Sequence, residues 1–331
     1  MNDRIAIGMK PSLQLRAAAW YIRKFVRRQS WGEANQLARR ARRVFGSPRW
    51  WANARSLGLN VRSVDGGDVR GEWIEPRNPR PGTILYIHGG GYVSCSAATH
   101  RPATAALARR TQRRVFSVEY RLAPEHRFPA AFDDAFAAYR WMLSHDRPDN
   151  VALAGDSAGG GLALAVLVAA RDSAVPLPAC AVLFSPWTDM EGSEESMDLN
   201  AARCAMFAPA NIDDFATAYL GDASRRDPRA SPGTADLSGL PPLLMQVGDT
   251  ELLLGDSARV HASILESGGE CELQTFEHVF HGWQMLDGIM PEASAALDLA
   301  ADFIDRHLSG AAAGGMPRPA ANIPFTETHA N

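Results

Sequence analysis

The residues able to do chemistry gather in three stretches. The first is Gly155-Asp156-Ser157-Ala158-Gly159, a serine flanked at two residues on either side by glycine. An apolar run over 151–154 precedes it and another begins at Leu162, so the stretch reads as a sharp strand-to-helix turn. Such a turn forces the serine into an unusual backbone conformation and aims its Oγ outward, where it can act as a nucleophile. Glycines flank it because a Cβ there would strike neighbouring backbone. A phosphate cradle is the poorer reading, since the glycines match neither a dinucleotide fingerprint nor a P-loop. The second stretch is His88-Gly89-Gly90-Gly91-Tyr92, directly after the apolar run 84–87. Acyl transfer places negative charge on a carbonyl oxygen, and glycine N–H groups can approach that oxygen closely; the N–H of Ala158 would join them.

The third requirement is a base. Of nine histidines, His278 and His281 follow the apolar run 273–276, late in the chain, where the order nucleophile, acid, histidine places them. Gly282 allows a tight loop beside His281, which is favoured. Read as metal ligands, the pair lacks a third residue at helical spacing and any HExxH pattern, so no metal is expected. Three carboxylates follow the run 243–247 and compete to orient the imidazole: Asp249, Glu251 and Asp256. Asp256 stands where it would cap a helix over 257–266, Asp249 can reach the histidine or hold its own turn, and Glu251 has the longer side chain.

The elements that must position these groups follow from hydrophobic periodicity. Apolar runs at 84–87, 115–118, 151–154, 181–184, 243–247 and 273–276 read as strands, and 132–143, 162–171, 257–266 and 293–307 as helices. Their alternation predicts an α/β fold, a mostly parallel sheet covered by helices on both faces. Runs 61–64 and 69–74, around Asp65-Gly66-Gly67-Asp68, read as a hairpin. Helical patterns at 15–26 and 33–44 precede it. Residues 190–222 interrupt the alternation, and the Ala/Gly/Pro-rich stretch from 309 is expected to be a flexible tail.

The chain has 331 residues, 46 % of them hydrophobic and 21 % charged, which suits one large α/β core with additions. Its net charge of −3 points to no nucleic-acid partner, although residues 1–50 alone carry +10. That excess could meet an acidic surface, a membrane or a partner, but the arginines alternate with an apolar stripe, so the plain expectation is a solvated outer face. Four scattered cysteines form no pair, residues 1–10 hold no apolar signal core, and the longest apolar run, 162–170, is too short for a bilayer. A cytoplasmic location without stable membrane insertion is the expectation, compatible with a homodimer.

Taken with Tyr120-Arg121-Leu122-Ala123-Pro124-Glu125, Phe128-Pro129-Ala130-Ala131-Phe132-Asp133-Asp134 and His281-Gly282, these motifs resemble the hormone-sensitive-lipase family of esterases, over about 60–308. The resemblance implies an α/β-hydrolase core of about eight strands within 51–308. It also implies a helical cap from residues 1–50 and an insertion at about 188–222, no cofactor, and hydrolysis of short- to medium-chain esters. It places the nucleophile at Ser157, the histidine at His281 and the oxyanion donors at Gly89, Gly90 and Ala158. The family's Asp-Pro-Leu at the acid is absent. Counting back from the helix and Gly268-Gly269, the family's acid falls on Glu251. Tyr92, Trp187 and Phe207 are candidate pocket residues, at least one of them expected in the core. Asp156, Tyr120, Arg121, Glu125 and Asp133 are expected to hold loops around the site. The same triad would serve a lactone or an N-acetyl substrate equally, whereas a non-catalytic small-molecule receptor on this fold tends to lose the histidine.

Overall fold

The computed structural model describes residues 4–28, 31–46, 49–67 and 69–308. The tail expected from 309 lies outside them. In chain order the elements are β1 (Arg4–Ile7), α1 (Leu13–Tyr21) continued by a π-helical turn (Ile22–Val26), α2 (Ala34–Val44), α3 (Arg49–Arg55), β2 (Asn60–Gly66), β3 (Val69–Glu75) and β4 (Thr83–Ile87). Then come α4 (Arg101–Thr111), β5 (Arg114–Val118), α5 (Ala130–Met142), β6 (Val151–Asp156), α6 (Ala158–Asp172) and β7 (Cys180–Phe184). The chain continues with α7 (Ser196–Leu199), α8 (Pro209–Leu220), β8 (Leu243–Gly248), α9 (Leu254–Glu266), β9 (Cys271–Phe276) and α10 (Pro291–His307).

The strands form one nine-stranded sheet in the order β1-β9-β8-β7-β6-β4-β5-β3-β2. The β2–β3 and β3–β5 pairings are antiparallel and all the others parallel. About eight strands were expected. The ninth is β1, whose Arg4–Ile7 run beside Leu273–Phe276 and extend the sheet at one edge. The N-terminal segment is therefore not wholly helical, as the sequence suggested, but contributes a strand to the core sheet.

The central strands are apolar on both faces because both are covered. Leu85, Phe116, Leu153, Leu183 and Met245 point into a core shared with α5, α6 and α9. Their neighbours Ile84, Val115, Ala152, Val182 and Leu244 point the other way, into a core shared with α4 and α10. The central strands thus have no free face, and every parallel strand ends in a loop on the same side. The loops after β4, β6, β8 and β9 carry His88, Ser157, Glu251 and His281.

Candidate active site

The serine turn is built by close backbone packing. Ser157 sits at φ 54°, ψ −122°, outside the regions an L-residue favours. The conformation is held by its N–H on the Phe184 carbonyl at 2.8 Å and by the Trp187 N–H on its own carbonyl at 3.0 Å. A Cβ on Gly159 would stand 2.1 Å from the Ile87 carbonyl oxygen, so only glycine lets α6 start this close to β4.

This turn presents Ser157 Oγ 2.8 Å from His281 Nε2, and His281 Nδ1 lies 2.6 Å from Glu251 Oε2. With the imidazole proton on Nδ1 donated to the carboxylate, Nε2 is free to accept from the serine hydroxyl. Glu251 is buried to 1 % exposure, and its other oxygen accepts from Gly248 N–H at 2.7 Å and Ser185 Oγ at 2.8 Å. Its carboxylate is therefore fixed by three donors and aimed at one histidine edge. Asn200 Nδ2 donates to the Glu251 carbonyl at 2.8 Å and holds the loop itself.

The competing carboxylates are engaged elsewhere. Asp249 accepts the His278 N–H at 2.7 Å and pairs with Arg203 at 3.0 Å. Asp256 was expected to cap its own helix but instead reaches across to the loop after β7. There it accepts from the N–H groups of Thr188 and Asp189 at 2.7 and 2.9 Å. His278 stands apart from His281, at a shallow surface hollow with Leu15 and Arg16.

The glycine loop differs from expectation in one respect. Gly89 N–H donates to Asp156 Oδ1 at 3.0 Å, and Gly89 does not line the cavity above Ser157. Gly90 and Gly91 do, and among the described residues their N–H groups have no acceptor. Ala158 opens α6, where a first-turn N–H has no partner in the helix. Asp156 also accepts from Tyr86 OH at 2.8 Å and lies 3.2 Å from His100 Nε2. Burial works to raise the Asp156 carboxyl, but the charge and hydrogen bond of His100, with the Tyr86 bond, outweigh it and hold the carboxyl below its usual range. Burial acts to lower His100, and Asp156 in turn raises it. Asp156 thus anchors the glycine loop as well as the serine turn. Its partner His100 was not legible, because a lone histidine before a helix carries no signal. Tyr120 OH donates to the His88 carbonyl at 2.8 Å, Glu125 pairs with Arg42 at 2.6 Å, and Arg121 pairs with Asp134 at 2.8 Å rather than with Asp133.

Ser157 and His281 open into a cavity of about 330 Å³. Its walls are mainly apolar: Tyr21, Ile22 and Phe45 from the N-terminal helices, and Phe207, Ile212 and Phe215 from the segment between β7 and β8. Trp187 and Phe207 line it, the latter with its ring 5.5 Å from the His281 ring. Tyr92 does not line the cavity. Its side chain is buried at 1 % exposure and stacked on Tyr219 at 3.8 Å, so it belongs to the core.

A family described as having the alpha/beta hydrolase fold matches residues 84–285, well over half of the chain. The crystal structure of an esterase from the bacterial hormone-sensitive lipase family superposes with a TM-score of 0.82 at 37 % identity, covering 91 % of this chain and 100 % of that one. The chain belongs to the hormone-sensitive-lipase family of α/β-hydrolase-fold esterases. Among its relatives are an acetyl-hydrolase of Streptomyces hygroscopicus, 40 % identical over 72 % of this chain and 80 % of that protein, and an esterase of Acinetobacter venetianus, 34 % identical over 74 % and 82 %. The crystal structure of the esterase EstE5 soaked with p-nitrophenyl butyrate has a TM-score of 0.81 at 34 % identity, covering 90 % of this chain and 99 % of that one. As a member of this family the protein is a carboxylic ester hydrolase.

Proposed function

We propose that the protein hydrolyses short- to medium-chain carboxylic esters through an acyl-enzyme formed on Ser157. The observation that carries this reading is the relay Ser157–His281–Glu251 at the floor of a small apolar cavity. Ser157 Oγ attacks the ester carbonyl while His281 Nε2 takes its proton, and Glu251 stabilises the imidazolium that results. The charge developing on the carbonyl oxygen is received by the N–H groups of Gly90, Gly91 and Ala158. Gly91 replaces Gly89 in this set because Asp156 already occupies the Gly89 N–H. His281 then protonates the departing alcohol, and water, deprotonated by the same imidazole, releases the acid.

Substrate size is read from the cavity, which stands at the small end of ligand sites. The N-terminal helices that follow β1 and residues about 188–222 act as the cap, with Ile22, Phe45, Phe207 and Phe215 enclosing the acyl chain. A relative named as an acetyl-hydrolase and another soaked with a butyrate ester agree with short acyl groups. The relative named an acetyl-hydrolase also fits a second reading with the same triad, removal of an acetyl group, from an amine as well as from an alcohol. Both are tested by assaying the purified protein on esters of increasing acyl length, a lactone and N-acetyl amines. The reading expects turnover of acetyl to octanoyl esters, falling at longer chains, together with covalent labelling of Ser157 by a fluorophosphonate. Ser157→Ala should remain folded and lose about 10⁴-fold or more in kcat. A variant keeping a tenth of the activity would remove Ser157 from its role.

A further inference from the structure

We infer that the mouth of the cavity is a docking face for an anionic lipid bilayer. The face is built on α1 and the π-helical turn that continues it. Leu15 is buried beneath them, and Tyr21, Ile22 and Val26 line the cavity. The outward side is not purely polar, as a solvated helix face would be, but sets exposed apolar side chains among its cations. Leu13 is 77 % exposed, Trp20 59 %, Tyr21 57 % and Phe25 45 %. The rings touch one another, Tyr21 and Phe25 at 4.9 Å and Trp20 and Phe25 at 6.1 Å, so they form a cluster rather than scattered apolar residues. Two other elements that line the cavity also carry an exposed apolar side chain close by in sequence. Trp51 lines the cavity and its neighbour Trp50 is 69 % exposed; Met285 and Leu286 line it, and Ile289 just beyond them is 43 % exposed. An exposed cluster of rings such as Trp20, Tyr21 and Phe25 marks an interaction site.

Charge decides the occupant. Residues 10–28 contain six lysines and arginines and no aspartate or glutamate. Arg23 and Arg27 place their guanidinium groups on the carbonyl oxygens of residues 201–204, which ties the segment down without cancelling its charge. Lys24 Nζ stands 5.0 Å from the Trp20 ring centre, at the side of the aromatic cluster. An acidic protein surface would account for the cations but not for the exposed rings. A second copy of this chain would account for the rings but would bring six like charges to meet its own. An anionic bilayer accounts for both: headgroups meet Lys and Arg, and Trp, Tyr and Phe enter the boundary with the acyl chains. No helix among the described residues is long and apolar enough to cross a membrane, so the contact is with one surface. Docked this way, the cavity opens towards the phase in which apolar esters concentrate.

The test is co-sedimentation of the full chain with vesicles of phosphatidylcholine alone and of phosphatidylcholine mixed with phosphatidylglycerol, at low and high salt. Binding is expected to the mixed vesicles, weakening as salt screens the charges, and to be much poorer on phosphatidylcholine. Trp20→Ser with Phe25→Ser, and separately Arg16→Glu with Lys24→Glu and Arg28→Glu, should each lower binding by about tenfold or more. The aromatic pair should leave turnover of a water-soluble short ester unchanged, since neither ring lines the cavity. Ser157→Ala should bind vesicles like the parent, which separates this inference from the catalytic reading. Equal binding to both vesicle types, no binding to either, or full binding by either patch variant would overturn it. So would a dimer of the parent that the aromatic variant converts to monomer, because the face would then belong to a second copy.

Discussion

Glu251 and Asp249 stand two residues apart at the end of β8; spacing alone leaves both eligible as the acid, and the family resemblance places it on Glu251. What separates them is donors. Glu251 is buried and takes Gly248 N–H, Ser185 Oγ and His281 Nδ1, whereas Asp249 is spent on the His278 N–H and on Arg203. Glu251→Gln keeps the shape but loses the charge that stabilises the imidazolium, and should cost about 10³–10⁴ in kcat with little change in KM. Asp249→Asn loosens one turn and one half-exposed ion pair and should cost less than about tenfold. If the steady-state kinetics of the two variants come out reversed, the acid is Asp249. The turns that bring Ser157 and His281 together were legible because their motifs are local: each residue sits in a turn that neighbouring glycines make possible. The hydrogen bond from Gly89 N–H to Asp156 was not legible, since it joins residues far apart in sequence.

At the scale of elements, all six apolar runs proposed as strands are strands, because strands buried on both faces carry few polar positions to obscure them, Ser117, Gln246, Gln274 and Thr275 being those within the runs. Helix α4 escaped for the same reason. Pro102 to Ala108 are all buried, so the segment has no polar face and no 3.6-residue period to detect. Strand β1 escaped because four residues at a sheet edge carry too little pattern. The helices over the cavity can be tested as elements. Phe207 packs against Phe45 at 6.2 Å, Phe215 at 6.1 Å and His281 at 5.5 Å, joining the N-terminal helices, the insertion and the relay. Phe207→Ala should deepen the cavity and shift the acyl preference towards longer chains, with short esters losing kcat/KM. An unaltered chain-length profile would show that this ring does not bound the acyl site. Deleting residues 1–45 is the harsher experiment. It removes β1 and the buried Trp31, Leu37 and Ala41, and aggregation of the truncated chain is the expected result.

The stability of the whole molecule carries a pH signature that comes from groups outside the relay. Burial pushes the Asp256 carboxyl up to about 7, against the hydrogen bond from Thr188 and the charge of Arg259. Burial also depresses His88, to about 3, with the nearby charge of His100 acting in the same direction. The two act with opposite signs. An unfolded chain takes a proton on histidine near 6.5, and folded His88 refuses it, so His88 makes the fold less stable as pH falls below that value. An unfolded aspartate releases its proton near 3.9, while folded Asp256 keeps it until about 7, so the fold loses stability as pH rises between the two values. Both effects fall in one window, and a single melting curve against pH would mix them. Comparison of the parent with Asp256→Asn separates them. Asparagine keeps an acceptor oxygen for the N–H groups of Thr188 and Asp189 and has no proton to lose. The variant should therefore gain on the parent steadily between about pH 4 and pH 7, by up to about 1.4 kcal/mol per pH unit, and level off above. Denaturant melts of both proteins across that range measure the difference directly. Parallel curves would mean that Asp256 titrates in the fold as it does in the unfolded chain, held ionised by Thr188 and Arg259 after all.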